Sequence, residues 1–197
     1  MNTYVILMRG INVGGKNKIP MTELKLFLEE QSFDNVMTFI QSGNVILQSK
    51  LDAKTLSQKI EKSLPRKFKL DSSIIKVLVL TNEQLQMIVD KKPKGFGDQP
   101  EKYHSDVIFL MGISADEAIK VFEPREGVDK VWQGDLAIYS QRLSAKRTKS
   151  RLSKIVGTPV YQSMTIRSWN TTTKLLKILE EIDTRKGVSL LYENNPH

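Results

Sequence analysis

Residues 4–8 are apolar without interruption, the pattern of a short strand covered on both faces. Residues 21–31 change to a helical period, with Leu24, Phe27 and Leu28 on one face. Residues 36–40 and 45–48 read as two short strands joined by Gln41, Ser42, Gly43 and Asn44, a turn whose glycine and asparagine accept positive φ. Asp52 caps a predicted helix in which Leu56, Ile60 and Leu64 recur every four residues, with Pro65 as its expected end. Residues 74–80 form another buried strand. Strand, helix, strand, strand, helix, strand is the split βαβ order of ferredoxin-like folds.

Thr81 to Gln84 has the spacing of a capping box, with Leu85, Ile88 and Val89 apolar behind it, so one further helix closes the first half. Two prolines, two glycines and several charges in residues 91–104 break the pattern and mark a connection. Residues 107–111 then restart as a strand, and Ser114 to Glu117 is a second capping box, with Val121 and Phe122 completing its helix. Residues 128–132 and 136–139 pair as a hairpin around Gly134, and Leu152, Ile155 and Val156 predict a basic helix stopped by Gly157. In the last helix Leu175, Ile178, Leu179 and Ile182 lie at i, i+3, i+4 and i+7, with Asn170 or Thr171 at its N-cap. The expected fold is α+β: a ferredoxin-like split βαβ half with an extra helix over residues 1–90, a connection over 91–104, and a degenerate second half with basic C-terminal helices over 105–197.

Composition adds constraints. The chain has 197 residues, 40% of them hydrophobic and 26% charged, with no cysteine. Disulfides, thiolate metal sites and a cysteine nucleophile are excluded, and a reducing cytoplasm is the expected location. No apolar stretch approaches membrane-spanning length, so no membrane partner is expected. Net charge is +8, yet residues 136–179 contain no Asp or Glu and nine cations, more than the whole excess. Lys146, Arg147, Lys149 and Arg151 form the densest part of that basic patch. Such a segment suits an anionic partner, a nucleotide or nucleic acid among them, or else is a solvated face that serves solubility.

Candidate chemistry concentrates in residues 9–18, where Gly10, Gly14, Gly15, Asn12, Asn17, Arg9, Lys16 and Lys18 crowd one loop between strand and helix. Backbone N–H groups, cations and a helix dipole there could receive an anion. The spacing Gly10, four residues, Gly15, Lys16 is that of a phosphate loop, but Asn17 stands where a Ser or Thr would hold magnesium, and Lys18, Ile19 and Pro20 separate the loop from the helix. Expected ligand contacts are Arg9, Asn12, Gly14, Gly15 and Lys16 in one cradle and Arg167, Trp169 and Asn170 in another. Glycines that only permit the turn, a core tryptophan and an Arg167 paired to a carboxylate are the structural alternatives. His104, in the connection, and His197 are the only histidines, so no metal cluster and no Ser-His arrangement is visible, and no cofactor is implied.

Met8 to Lys16, then Met21 and Leu24, then residues 38–45, and finally residues 165–171 with Lys174 and Leu175 together resemble the signature blocks of the domain-of-unknown-function 1697 family. The resemblance implies a bacterial cytosolic protein built from two ferredoxin-like halves, and it brings no established activity, cofactor or catalytic residue. Family members commonly carry Asn between the Arg and Trp of the last block, where this chain has Ser168. Three functions follow as expectations: a binder of a phosphorylated or other anionic ligand; an enzyme on a small anionic metabolite, with Ser42 and Asn44 lining its pocket; or a protein-interaction module whose glycine loop is purely structural.

Overall fold

In the computed structural model, which describes residues 1–193, the first apolar run becomes β1 (Asn2–Arg9). After it come α1 (Met21–Glu30), β2 (Asp34–Phe39), β3 (Asn44–Ser49), α2 (Ala53–Phe68), β4 (Lys76–Thr81) and α3 (Asn82–Asp90). The second half repeats the order in shorter pieces: β5 (Tyr103–Leu110), α4 (Ala115–Ala118), β6 (Asp129–Gln133), β7 (Ala137–Leu143), a series of 3-10 turns within residues 144–163, β8 (Met164–Ser168) and α5 (Trp169–Glu193). Two antiparallel four-stranded sheets result, ordered β2-β3-β1-β4 and β6-β7-β5-β8. Strand for strand the order is the same, as in a duplicated ferredoxin-like unit.

β1 is apolar throughout because both its faces are covered. Tyr4, Ile6 and Met8 point to a core shared with Leu24, Leu28, Leu56 and Ile60 of α1 and α2. Val5 and Leu7, one residue out of phase, enter a second core with Val107 and Phe109 of β5, Ala137 and Tyr139 of β7, and apolar residues of α3 and α5. The two sheets therefore share a central layer. Tyr139 crosses it, donating its hydroxyl to the Ile88 carbonyl at 2.6 Å, and burial pushes that phenol up to about 12. The far face of the second sheet, with Ile108 and Ile138, is closed by α4 and the 3-10 turns.

Several local expectations need correction. Pro65 lies inside α2, which runs on to Phe68 and ends at Lys69 in a left-handed conformation. A proline forfeits its N–H bond to the residue four back and crowds that residue's carbonyl, a cost confined here to the end of the helix, where buried Leu64 holds the turn in place. The helix after Ser114 has four residues before it tightens to 3-10, and Phe122 is buried just past its end. The expected basic helix is a pair of 3-10 turns, residues 144–149 and 152–157. Leu152 and Ile155 are three apart, so they share a face at three residues per turn, while Val156 turns outward and is 57% exposed. His104 belongs to β5 rather than to a connection, and His197 lies outside the described residues. Among the described residues no helix is long and apolar enough to cross a membrane, and no cluster of metal-ligating side chains occurs.

Candidate functional site

The loop after β1 is a miniature hairpin held by its own amides. Asn12 and Asn17 both adopt positive φ, and the Asn12 N–H donates to the Asn17 carbonyl at 3.0 Å. The Asn12 side chain brackets Ile19, donating to its carbonyl at 2.9 Å and accepting from its N–H at 2.7 Å. Asn17 ties the loop to itself and to Asp71, 54 positions away: its side chain donates to the Gly10 carbonyl at 2.8 Å and accepts from the Asp71 N–H at 3.0 Å. The tip closes by a bridge between Val13 and Lys16, with Gly14 and Gly15 at φ of 59° and 76°, the two positive values of a type I′ turn. The residue in the magnesium position of a phosphate loop is thus a structural strut. Ile19 and Pro20 separate the hairpin from α1, which begins at buried Met21 and does not line the cleft described below.

Arg167, on β8 of the second half, reaches into the first. Its Nε donates to the Asn44 side chain, Nη2 to the carbonyls of Met8 and Ser42 at 2.9 Å each, and Nη1 to Thr165 Oγ1 at 2.9 Å and the Ile166 carbonyl at 2.8 Å. All five N–H donors are taken by neutral acceptors. The alternative of a carboxylate partner is not met: among the described residues no carboxylate pairs with the buried guanidinium, and burial pulls its pKa down to about 10. Asn44 is fully buried behind it, also donating to the Phe39 carbonyl and Ser42 Oγ.

Between the halves lies a cleft of about 370 Å³. Arg9, Lys16 and Ser42 reach it from the first half, and Tyr161, Thr165 and Arg167 from the second. Its apolar surface includes Ile11, Val13, Ile74, Met164 and Ile166. Three cations and no carboxylate stand among its lining residues. The Arg9 guanidinium lies over the Tyr161 ring, 5.1 Å from its centre, while its Nη1 donates to the Ile74 carbonyl at 3.0 Å. Lys16 also acts on Asp71, whose carboxyl is held below its ordinary value by hydrogen bonds from Ser73 and, more weakly, by this ammonium.

The structure brings Arg9, Lys16, Ser42 and Arg167 to one cleft and separates the rest. Asn12, Gly14, Gly15 and Asn44 are not among its lining residues. Trp169 and Asn170 line a different, smaller pocket of about 190 Å³ near His104, so they share no cradle with Arg167. The indole meets Phe96 edge-on at 5.2 Å and sits so close to Gly97 that a Cβ there would lie 2.3 Å from it. Lys146, Arg147, Lys149 and Arg151 are exposed, make no ion pair among the described residues and stand apart from the cleft. Tyr161, Ile74 and Met164 carried no sequence signal of a site, since a lone aromatic in a basic stretch and two apolar residues look like any core position.

The helix cap is Ser168, which directly precedes α5 and whose Oγ accepts from the Thr171 N–H at 3.2 Å. Asn170 and Thr171, the expected caps, are inside the first turn. Serine and asparagine cap equally well because both offer an oxygen to the third helical N–H. Ser168→Ala is expected to cost about 1 kcal/mol in urea unfolding, and Ser168→Asn almost nothing.

Comparison with known proteins agrees with this architecture. The model of a family described as "Protein of unknown function (DUF1697)" matches residues 1–139. A solved structure, that of the conserved bacterial protein SP0830 from Streptococcus pneumoniae, superposes with a TM-score of 0.77 at 26% identity, covering 91% of this chain and 99% of that one. Among curated proteins none matches significantly.

Proposed function

The chain belongs to the DUF1697 family of bacterial proteins, whose description names no activity, and from that premise we propose that it binds a small anionic molecule in the cleft between its halves. One observation carries this reading: three cations and no carboxylate line the cleft, and one of them, Arg167, is buried with no counterion among the described residues. A charge held by neutral dipoles alone is poorly compensated, and an anion entering the cleft restores the missing countercharge. Arg167 contributes charge and not contact, since its donors are occupied, whereas Arg9 and Lys16 are left to touch the ligand. A volume of about 370 Å³ suits a metabolite-sized molecule.

Binding without turnover fits the lining better than catalysis. Its residues include no histidine, cysteine or carboxylate, which leaves Lys16 and Tyr161 as the titratable side chains beside the two arginines. A single-stranded nucleic acid laid on a sheet, as ferredoxin-like RNA binders receive it, is disfavoured because both faces of both sheets are packed. A cysteine-free chain suits work in a reducing cytoplasm.

The test is calorimetric titration with sugar phosphates, nucleotides and organic acids. Indole fluorescence is a poor readout, since neither tryptophan lines the cleft. Arg9→Ala is expected to weaken binding by about tenfold or more, the value of a charge-assisted hydrogen bond, while Lys149→Glu with Arg151→Glu leaves it unchanged. Loss of binding in the second variant alone would move the site to the basic patch.

A further inference from the structure

Resting on the cleft reading above, we propose that its ligand is an organic anion with a forked head, a carboxylate or a phosphate monoester, carried on an apolar body, and that Arg9 is the residue that grips the head.

Arg9 is fixed before any ligand arrives. Its Nη1 is anchored on the Ile74 carbonyl of the first half, and its flat face rests on the Tyr161 ring of the second. Nε and Nη2 donate to no acceptor among the described residues, so one edge of the guanidinium stays open. Two parallel N–H groups on one rigid edge match two oxygens of a carboxylate or phosphate, and a side chain already immobilised loses little freedom on binding. Lys16 is a second cation on the same side, shared in part with Asp71.

A bare inorganic anion uses only that corner. The remaining lining is mostly aliphatic, and Val13, beside the tip of the loop hairpin, lines the cleft and is 67% exposed. An ion with a full hydration shell gains nothing there, whereas an apolar body does. Burying a phenyl-sized body is expected to tighten binding by about 30-fold over the bare head group.

Four probes decide the matter by calorimetry on the full chain: inorganic phosphate against phenyl phosphate, and acetate against phenylacetate. The expected result is a preference of about 30-fold for the aromatic member of at least one pair, the pair identifying the head group. Arg9→Lys keeps the cleft's charge but has no fork, and is expected to lose about tenfold on the preferred probe while the chain stays folded, its melting midpoint lowered by a few degrees at most through the lost Ile74 and Tyr161 contacts. Val13→Ser, at an exposed position where folding is not at stake, is expected to narrow the preference between pair members without altering inorganic phosphate binding. Equal affinity within both pairs overturns the apolar-body assignment and leaves the anion reading standing. Full affinity in Arg9→Lys overturns the fork. Binding by none of the four overturns both readings.

Discussion

Arg167→Met is expected to lower the unfolding free energy by about 3 kcal/mol, with a fall in melting midpoint of roughly 6–12 °C for a chain of this size. Methionine keeps much of the volume but none of the five donors. Three acceptors that belong to the first half, the carbonyls of Met8 and Ser42 and Asn44 Oδ1, then lose their partner. Each orphaned buried acceptor costs on the order of 1–3 kcal/mol, and removing a charge that was desolvated without a counterion returns part of that sum. Scanning calorimetry and urea titration measure the balance. Arg167→Lys should fall between the two, because an ammonium offers three donors from one point and cannot span the acceptors of both halves. A variant as stable as the parent would mean that the desolvation of the guanidinium outweighs the bonds it makes. Adding Asn44→Leu to Arg167→Met removes one orphan but takes the donor from the Phe39 carbonyl and Ser42 Oγ, so the double variant is expected to be no more stable than Arg167→Met alone.

That a side chain so important to the join was visible in the sequence, while its role was not, has a physical cause. Arg167 stood out by its place in an acid-free stretch beside a helix start, but two of its five acceptors are backbone carbonyls from residues about 125 and 159 positions away. Carbonyls carry no residue signature, so a reading of side chains assigns the charge to a carboxylate or a ligand by default. Local features fared differently. The capping box at Thr81 and Gln84 forms with both its hydrogen bonds, because every participant lies within four residues. Unbroken apolarity in residues 4–8 correctly implied two covered faces, since an alternating strand is the signature of one.

Period, by contrast, was ambiguous where the element was short. Leu152, Ile155 and Val156 satisfy an α-helical pattern and a 3-10 pattern until Val156 is placed, and three residues do not decide between them. The candidate site was half legible for the same kind of reason. Arg9, Lys16, Ser42 and Arg167 carry the chemistry of an anion site and meet in one cleft; Asn12 carries the same chemistry and holds the loop instead. An amide that braces its own backbone and one that awaits a ligand look identical in a sequence.

The glycines of that loop separate the two roles experimentally. Gly10→Ala is expected to cost about 3–5 kcal/mol, because it combines a left-handed φ of +82° with a collision: the new Cβ would stand 2.3 Å from the Ile74 carbonyl oxygen and 2.8 Å from its carbon. Both obstacles are backbone, so neither can swing aside. The same carbonyl anchors Arg9, and its displacement should weaken anion binding as well as lower the melting midpoint. Gly14→Ala is a different case, with φ of +59° and nothing within 4 Å of the added methyl; it should cost about 1 kcal/mol, the price of the left-handed conformation alone. Both are read by urea unfolding together with calorimetric titration of the preferred anion. If Gly14→Ala unfolds the chain as Gly10→Ala does, the hairpin tip is itself part of the scaffold. If Gly10→Ala folds normally and still binds, Ile74 has room to move, and the fixed geometry attributed to Arg9 does not hold.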